Sequence, residues 1–272
     1  MSTACPRQPA LFLPHGAPDL PVSDIAAHRF LVGLARSLPA PPRGVLVVSA
    51  HWEARVPTVT SHPAPRTVHD FSGFGAELKT LQFPARTDAA LVARTLELLD
   101  AAGFEPRTDD DRGFDHGAWV PLLLVWPAAD VPVVQLSLLE GGTPAEHLAL
   151  GRALAPLGAE GWLVVGSGAA THSLRDLARE GTPAPDWARG FDDWLHRALT
   201  DPAADGAADA LRPDTHAHYR RAHPTPEHLM PLYVALGAAG PDADAERVHA
   251  SFSWGSVSMS AYRFEPEVRA AA

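Results

Sequence analysis

Three imidazoles in this chain stand in the same relation to an apolar run. Val45–Val48, released by a Pro/Gly turn, leads to His51; Leu11–Pro14 runs straight into His15 and Gly16; Trp162–Val165 leads through Gly166-Ser167-Gly168-Ala169-Ala170-Thr171 to His172. In an open α/β sheet, ligands bind outside the carboxyl ends of the strands. Three buried-type strands, each delivering a histidine there, therefore predict a shared metal or acid–base site. A divalent ion with an open coordination position takes about three protein ligands on rigid elements. His15, His51 and His228 meet that mounting condition, the last because prolines 224, 226 and 231 fix the chain just before a helix. Taken singly, each reads first as a hydrogen-bonded loop histidine, and only the common setting favours a site. His172, beyond its small-residue loop, is placed as a general base whose ordinary pKa suits neutral pH. The bland alternative is that the glycines merely turn the chain. His116, between Asp115 and Gly117, reads as a second acid/base, a substrate hydrogen-bonder or a solvated loop histidine.

Other chemistries lack their residues. Lys79 is the only lysine, leaving one weak candidate for Schiff-base or P-loop chemistry. The 166–171 loop lacks the third glycine of a dinucleotide fingerprint, and no Gly-x-Ser-x-Gly elbow raises Ser167 as a nucleophile. With 14 histidines in the chain, many must be ordinary surface groups. His147 and His196, inside helical patterns, are read as surface residues. His62, His69, His216 and His218 lie in polar stretches, with His218 kept as a substrate contact. Trp119 and Trp126 are read as core.

The elements that must position these groups follow from pattern. Helical periodicity marks 23–38, 88–103, 143–157, 187–199 and 231–237. Strands are expected at 11–15, 45–50, 56–60, 120–125, 131–138, 162–168, 248–252 and 257–264, with a long loop over 56–77, a polar loop over 109–117, a loosely packed segment over 203–213 and a flexible lead over 1–10. The alternation predicts one α/β domain over residues 1–272: a mainly parallel or mixed central sheet flanked by helices, with the active site at strand C-terminal ends. A formal charge of −10 without a basic cluster argues against nucleic acid and anionic membrane as partners and for a small molecule. Cys5 is the only cysteine, so neither a disulfide framework nor a thiolate zinc site is expected. No run is long enough to span a membrane and no signal-peptide order opens the chain, which fits a cytoplasmic location.

Six segments carry a resemblance: LFLPHGAP at 11–18, SAHWE at 49–53, HDFSGFGAELKTLQFPA at 69–85, GFDHGAWVPL at 113–122, SGAATHSL at 167–174 and HPTPEHLMPLYVALGAAG at 223–240. Together, and in order across nearly the whole chain, they resemble the 4,5-DOPA extradiol dioxygenase group of the class III extradiol ring-cleavage dioxygenases. The resemblance implies a mononuclear non-haem Fe(II) enzyme that opens a catechol-type, DOPA-like ring beside its two hydroxyls with O2. It implies that His15 and His51 bind the metal and His228 completes the set, with Glu227 and Glu53 as carboxylate alternatives for the third ligand. His172 becomes the acid/base and His116 a second active-site histidine near the substrate. His223, heading the last segment, and His218 are assigned to substrate binding. Zn(II) is expected to compete with iron in purified protein, because imidazole-rich sites hold zinc at least as tightly. Two other functions use the same residues: a zinc-dependent hydrolase, which works without oxygen, and a non-catalytic metal-binding relative.

Overall fold

Four apolar runs lie side by side at the centre of an eight-stranded sheet. The computed structural model describes residues 6–200, 210 and 212–266. In chain order its elements are β1 (Ala10–Pro14), α1 (Ala26–Leu34), β2 (Val45–Ala54), β3 (Thr58–Thr60), α2 (Ala89–Ala101), β4 (Arg107–Asp109), α3 (His116–Val125), β5 (Val133–Leu139), α4 (Pro144–Leu154), α5 (Pro156–Ala159), β6 (Leu163–Gly168), α6 (Asp186–Thr200), α7 (Tyr219–Ala222), α8 (Met230–Ala239), β7 (Asp244–His249), β8 (Phe252–Ser253), β9 (Val257–Ser258) and β10 (Ala261–Glu265). The strand order is β4-β3-β5-β2-β6-β1-β10-β7, with β8 and β9 paired apart. The neighbours β5, β2, β6 and β1 are parallel, whereas β3 meets β5, and β10 meets β1 and β7, antiparallel.

The parallel strands are apolar on both faces because helices cover both. Successive side chains alternate sides. Phe12, Leu46, Val48 and Val164 enter the core shared with α4 and α8, while Leu11, Leu13, Val45, Val47, Leu163 and Val165 enter the one shared with α1 and α3. The result is the mixed, helix-flanked α/β sheet that the alternation of patterns predicts. Helix starts carry their expected caps: Asp88 accepts from the Ala90 and Leu91 amides, and Thr143 and Glu146 form a reciprocal capping box.

Several expectations are corrected. The run 120–125 is not a strand but the body of α3, capped by the Asp115 side chain, which accepts from the Ala118 amide. Nearly every α3 residue is buried, so its apolar side chains surround the axis and no 3.6-residue stripe distinguishes it from a buried strand. β2 does not stop near His51 but runs on to Ala54. The polar stretch after 106 contributes the edge strand β4. The final stretch is broken into β9 and β10. Residues 1–5 and most of 203–213 lie outside the described residues, but Gln8, assigned to the lead, is buried, with its side chain donating to the Ala40 carbonyl at 3.2 Å. His147 is also buried rather than on the surface. Its Nδ1–H donates to the Thr143 carbonyl at 2.9 Å and its Nε2 accepts from the Leu139 amide at 3.1 Å, tying α4 to the end of β5.

Candidate metal centre and substrate cleft

Each inner histidine is aimed by a partner that a different element supplies. His15 leaves the end of β1 where Gly16 turns the chain at φ 60°, and its ring is buried. Its Nδ1 lies 3.0 Å from Ser167 Oγ, and that hydroxyl donates to the Gly117 carbonyl at 2.5 Å. With its proton committed there, Ser167 Oγ accepts from His15 Nδ1–H, leaving the Nε2 lone pair free. The Gly117 carbonyl is available because its helical partner four residues on is Pro121, which has no N–H. A proline inside α3 thus frees the acceptor that fixes the orientation of His15.

His51 sits where β2 departs from regular pairing: Val48 is opposite Leu136 and Glu53 opposite Leu138, so four residues bulge across one. Ser49 Oγ accepts from the His51 amide at 3.1 Å and donates to Asp115 Oδ1 at 2.6 Å. Arg112 bridges the His51 carbonyl at 3.1 Å and Asp115 Oδ2 at 2.7 Å, and the Gln135 amide also donates to Asp115. A fully buried carboxylate therefore locks the bulge. His228 precedes α8, whose N-terminal turn presses onto β6. A Cβ on Gly168 would stand 2.2 Å from the His228 carbonyl, and one on Gly166 2.1 Å from that of Pro231. The glycines of β6 accommodate the backbone that carries His228, and the Ala169 amide donates to the His228 carbonyl at 2.9 Å. His228 Nδ1–H points at Glu227 Oε1, 3.0 Å away.

The three rings form a nearly equilateral triangle, with centroids 4.8, 5.2 and 4.9 Å apart for the pairs His15–His51, His15–His228 and His51–His228. One ring nitrogen from each lies within 4.8 Å of the others, and the Nε2 atoms of His15 and His51 are 3.1 Å apart. Tetrahedral ligation at the usual zinc–imidazole length requires nitrogens roughly 3.3 Å apart, which this spacing approaches. His228 Nε2 is buried without a hydrogen-bond partner. A buried lone pair facing two other imidazole nitrogens fits a divalent cation. Burial first, and neighbouring imidazoles second, hold the pKa values of His15 and His228 well below the ordinary value; burial takes His51 to about 4. All three are therefore neutral donors at pH 7.

His172 and His116 flank this triangle on the cleft side. The His172 ring stacks on His228 at 3.4 Å between centroids, and burial lowers its pKa to about 4. His116, the first residue of α3, lies 3.9 Å from the His51 ring. Its backbone N–H and Nδ1–H both donate to Asp70 Oδ1, at 3.0 and 2.9 Å. Burial alone raises the Asp70 carboxyl, but the hydrogen bonds it accepts from the His116 ring and backbone outweigh that and bring it to about 2. His51, His116 and His172 line a cleft of about 390 Å³ whose other walls are mostly apolar. His223 is buried away from the cleft wall, its Nε2–H donating to the Ala170 carbonyl at 2.9 Å behind the loop that carries His172. His218 is exposed, beside His216 with ring centroids 5.4 Å apart, and neither it nor His223 lines the cleft. Trp119 is core: it is fully buried, and its indole N–H donates to the Val68 carbonyl. Sequence reasoning missed Ser49, Asp70, Arg112 and Ser167 as orienting residues. Only Asp115 and Asp70 carried a local signal, the first as a helix cap and the second as an acidic residue beside a histidine.

A buried three-imidazole cluster beside the C-terminal ends of parallel strands, opening into an apolar cleft, is a place where an α/β enzyme could hold a divalent cation. The family described as "Catalytic LigB subunit of aromatic ring-opening dioxygenase" matches residues 20–265, and the chain belongs to it. It is 39% identical to a 4,5-DOPA dioxygenase extradiol of Portulaca grandiflora over 94% of this chain and 95% of that protein, and 40% identical to one of Beta vulgaris over 93% and 95%. The crystal structure of uncharacterized protein JW3007 from Escherichia coli K12 superposes with a TM-score of 0.79 at 34% identity, covering 94% of this chain and 99% of that one. Among the described residues, no helix is long and apolar enough to cross a membrane.

Proposed function

We propose that the protein is an extradiol dioxygenase that opens a catechol-type ring, DOPA-like in its paired hydroxyls, with O2 at a mononuclear Fe(II) held by His15, His51 and His228. The observation that carries this reading is the buried, unpartnered Nε2 of His228 facing the nitrogens of the other two rings. When bound, the metal supplies a Lewis acid that favours the ionised form of a catechol hydroxyl and an open coordination face for substrate and oxygen. Three neutral imidazoles leave its 2+ charge uncompensated in the inner shell, so an anionic substrate is favoured there. His172, kept neutral at pH 7 by burial, offers a free ring nitrogen to the proton of one catechol hydroxyl, whose acidity a bound metal would raise. His116 is held with Nδ1–H on Asp70, which leaves Nε2 free to hydrogen-bond the ring substituents or to take part in the proton's return. His223 supports the floor beneath His172 rather than touching substrate, and His218 takes no part. Zn(II) bound to the same three rings would give an oxygen-independent hydrolase instead.

The deciding experiment is oxygen uptake by freshly Fe(II)-loaded protein with a panel of catechols, run beside anaerobic assays with simple esters and amides. Oxygen consumption matched to a yellow ring-opened product is expected. Anaerobic turnover of an ester or amide without oxygen uptake would replace this reading with the hydrolase.

A further inference from the structure

One wall of the cleft is held in a conformation its residue type disfavours. In the β8–β9 hairpin Ser253 pairs with Val257, leaving 254–256 as the turn. Two consecutive turn residues are left-handed, Trp254 at φ 48° and Gly255 at φ 74°. Glycine adopts that backbone freely, whereas a bulky residue does not. Such outliers persist where surrounding bonds over-determine them, and they gather at ligand sites. Trp254 meets both conditions. Its N–H donates to Glu180 Oε2 at 2.9 Å, Ser253 Oγ donates to the same oxygen at 2.7 Å, and its carbonyl accepts from the Ala178 and Ser256 amides at 2.9 Å each. It also lines the cleft.

The hairpin is fixed relative to His172 from both sides. Thr171, the residue before it, pairs antiparallel with Ser258; its Oγ1 donates to the Ser256 carbonyl and accepts from the Ser258 amide, both at 2.7 Å. After His172, the segment 174–182 returns over the turn. Ser256 Oγ donates to the Asp176 carbonyl at 3.1 Å, and a Cβ on Gly255 would stand 3.0 Å from that of Ala178. The same segment supplies Leu174 and Leu177, which line the cleft although 64% and 44% exposed. Exposed apolar groups at a cavity mouth mark a binding surface. The imidazoles themselves are packed on one another: His172 stacks on His228, and His116 lies against His15 and His51. A catechol whose oxygens face those rings therefore brings its ring substituent to Trp254, and a cleft of about 390 Å³ has room for one.

Resting on the ring-cleavage reading, we propose that Trp254 determines specificity by packing its indole against the ring substituent of the substrate, and that Glu180 is the positioning residue that holds Trp254 left-handed to do so. The test compares 4-propylcatechol with unsubstituted catechol on Fe(II)-loaded protein. The unaltered protein is expected to prefer the propyl compound in kcat/KM. Trp254→Asn, or Trp254→Gly should the first fail to fold, tolerates the left-handed backbone but lacks the indole. It is expected to cut that preference roughly tenfold, through KM more than kcat, the scale of one or two methylene groups returned to water. Glu180→Ala should cut the preference several-fold with the indole still present, while Glu180→Gln, which keeps an oxygen for both donors, should largely restore it. Tryptophan emission should change when 4-propylcatechol is added anaerobically, and that change should be lost in Trp254→Phe. Absence of a preference in the unaltered protein, or an unchanged preference in a folded Trp254 variant, overturns the proposal; an unchanged preference in Glu180→Ala removes Glu180 from it. If no catechol is turned over, ring cleavage itself fails. Calorimetric titration of the Zn(II)-loaded protein and its Trp254 variant with the same pair then still decides the proposal: a binding preference for the propyl compound that the variant loses supports it, and an unchanged preference or no binding overturns it.

Discussion

Replacing Glu227 separates two roles that a carboxylate next to a proposed metal-binding histidine can play. Its Oε1 accepts from His228 Nδ1–H at 3.0 Å and from Thr225 Oγ1 at 2.9 Å. A hydrogen bond to a charged acceptor contributes roughly 1.5–3 kcal/mol, and the 21% exposure of the Glu227 side chain argues for the lower half of that range. Glu227→Ala is therefore expected to weaken metal binding about 10–30-fold, because His228 loses both its fixed tautomer and the charge that raises the basicity of Nε2. Glu227→Gln keeps an acceptor at about half the strength, and a loss of about three- to fivefold is expected. The assay is competition for Zn(II) against a chromophoric chelator at pH 7.5, with His228→Ala as the reference for a lost ligand. Because a carboxylate oxygen of Glu227 also falls within 4.8 Å of ring nitrogens of His172 and His228, Glu227 is a rival ligand by geometry. If Glu227→Gln is as damaging as His228→Ala, Glu227 binds the metal itself and the three-histidine assignment is wrong. If Glu227→Ala leaves affinity unchanged, the carboxylate does not tune the ligand at all.

Three further outcomes follow from the same geometry. Gly168→Ala places a Cβ 2.2 Å from a backbone carbonyl that cannot swing aside, so it should cost about 1–3 kcal/mol of stability and reduce metal affinity by displacing His228; unchanged melting and metal content would show that α8 is not seated on β6 as described. Asp70→Asn should lower kcat roughly tenfold or more at unchanged metal stoichiometry, since it removes the charge that holds the His116 proton on Nδ1; an unchanged kcat would show that the His116 tautomer does not matter. His223, buried and held to about 4 by burial, is neutral when folded and takes up a proton on unfolding below pH 6.5. Its contribution is complete above pH 6.5 and is lost as pH falls toward 4, about 2 kcal/mol by pH 5. Urea midpoints measured from pH 7 to 4.5 should therefore fall less steeply in His223→Leu than in the unaltered protein, and parallel slopes would refute the assignment.

What could be read from the sequence is what depends on neighbours in the chain. Apolar runs bordered by Pro or Gly marked the parallel strands, and placed His15 at the end of β1 and His51 just past the apolar part of β2. α3 was not legible because an apolar run of that length looks the same as strand or helix when every side is buried. The meaning of Gly166 and Gly168 was equally hidden. The sequence shows a small-residue loop leading to His172, whereas the space beside the two glycines is taken by the backbone of His228 and Pro231, a contact between distant segments that no local pattern announces. Ser167 likewise has no signal of its own. Its role exists only because Pro121 leaves the Gly117 carbonyl unbonded and the register of β1 against β6 brings Leu13 beside Ser167.

The site's charge balance explains why so many carboxylates surround three neutral ligands. Two of them, Glu227 and Asp70, each accept from an imidazole N–H, and Asp115 accepts from the serine and arginine that hold His51. Negative charge is thus placed one hydrogen bond away from the imidazoles that face the position where a cation fits, near enough to stabilise it. The same arrangement makes protonation of the histidine cluster costly. With His15, His51, His172 and His228 mutually close and buried, protonating one raises the cost of protonating the next, so these groups stay neutral well below the usual histidine range. At neutral pH the site presents an array of lone pairs that suits a divalent cation with a face left open to the cleft.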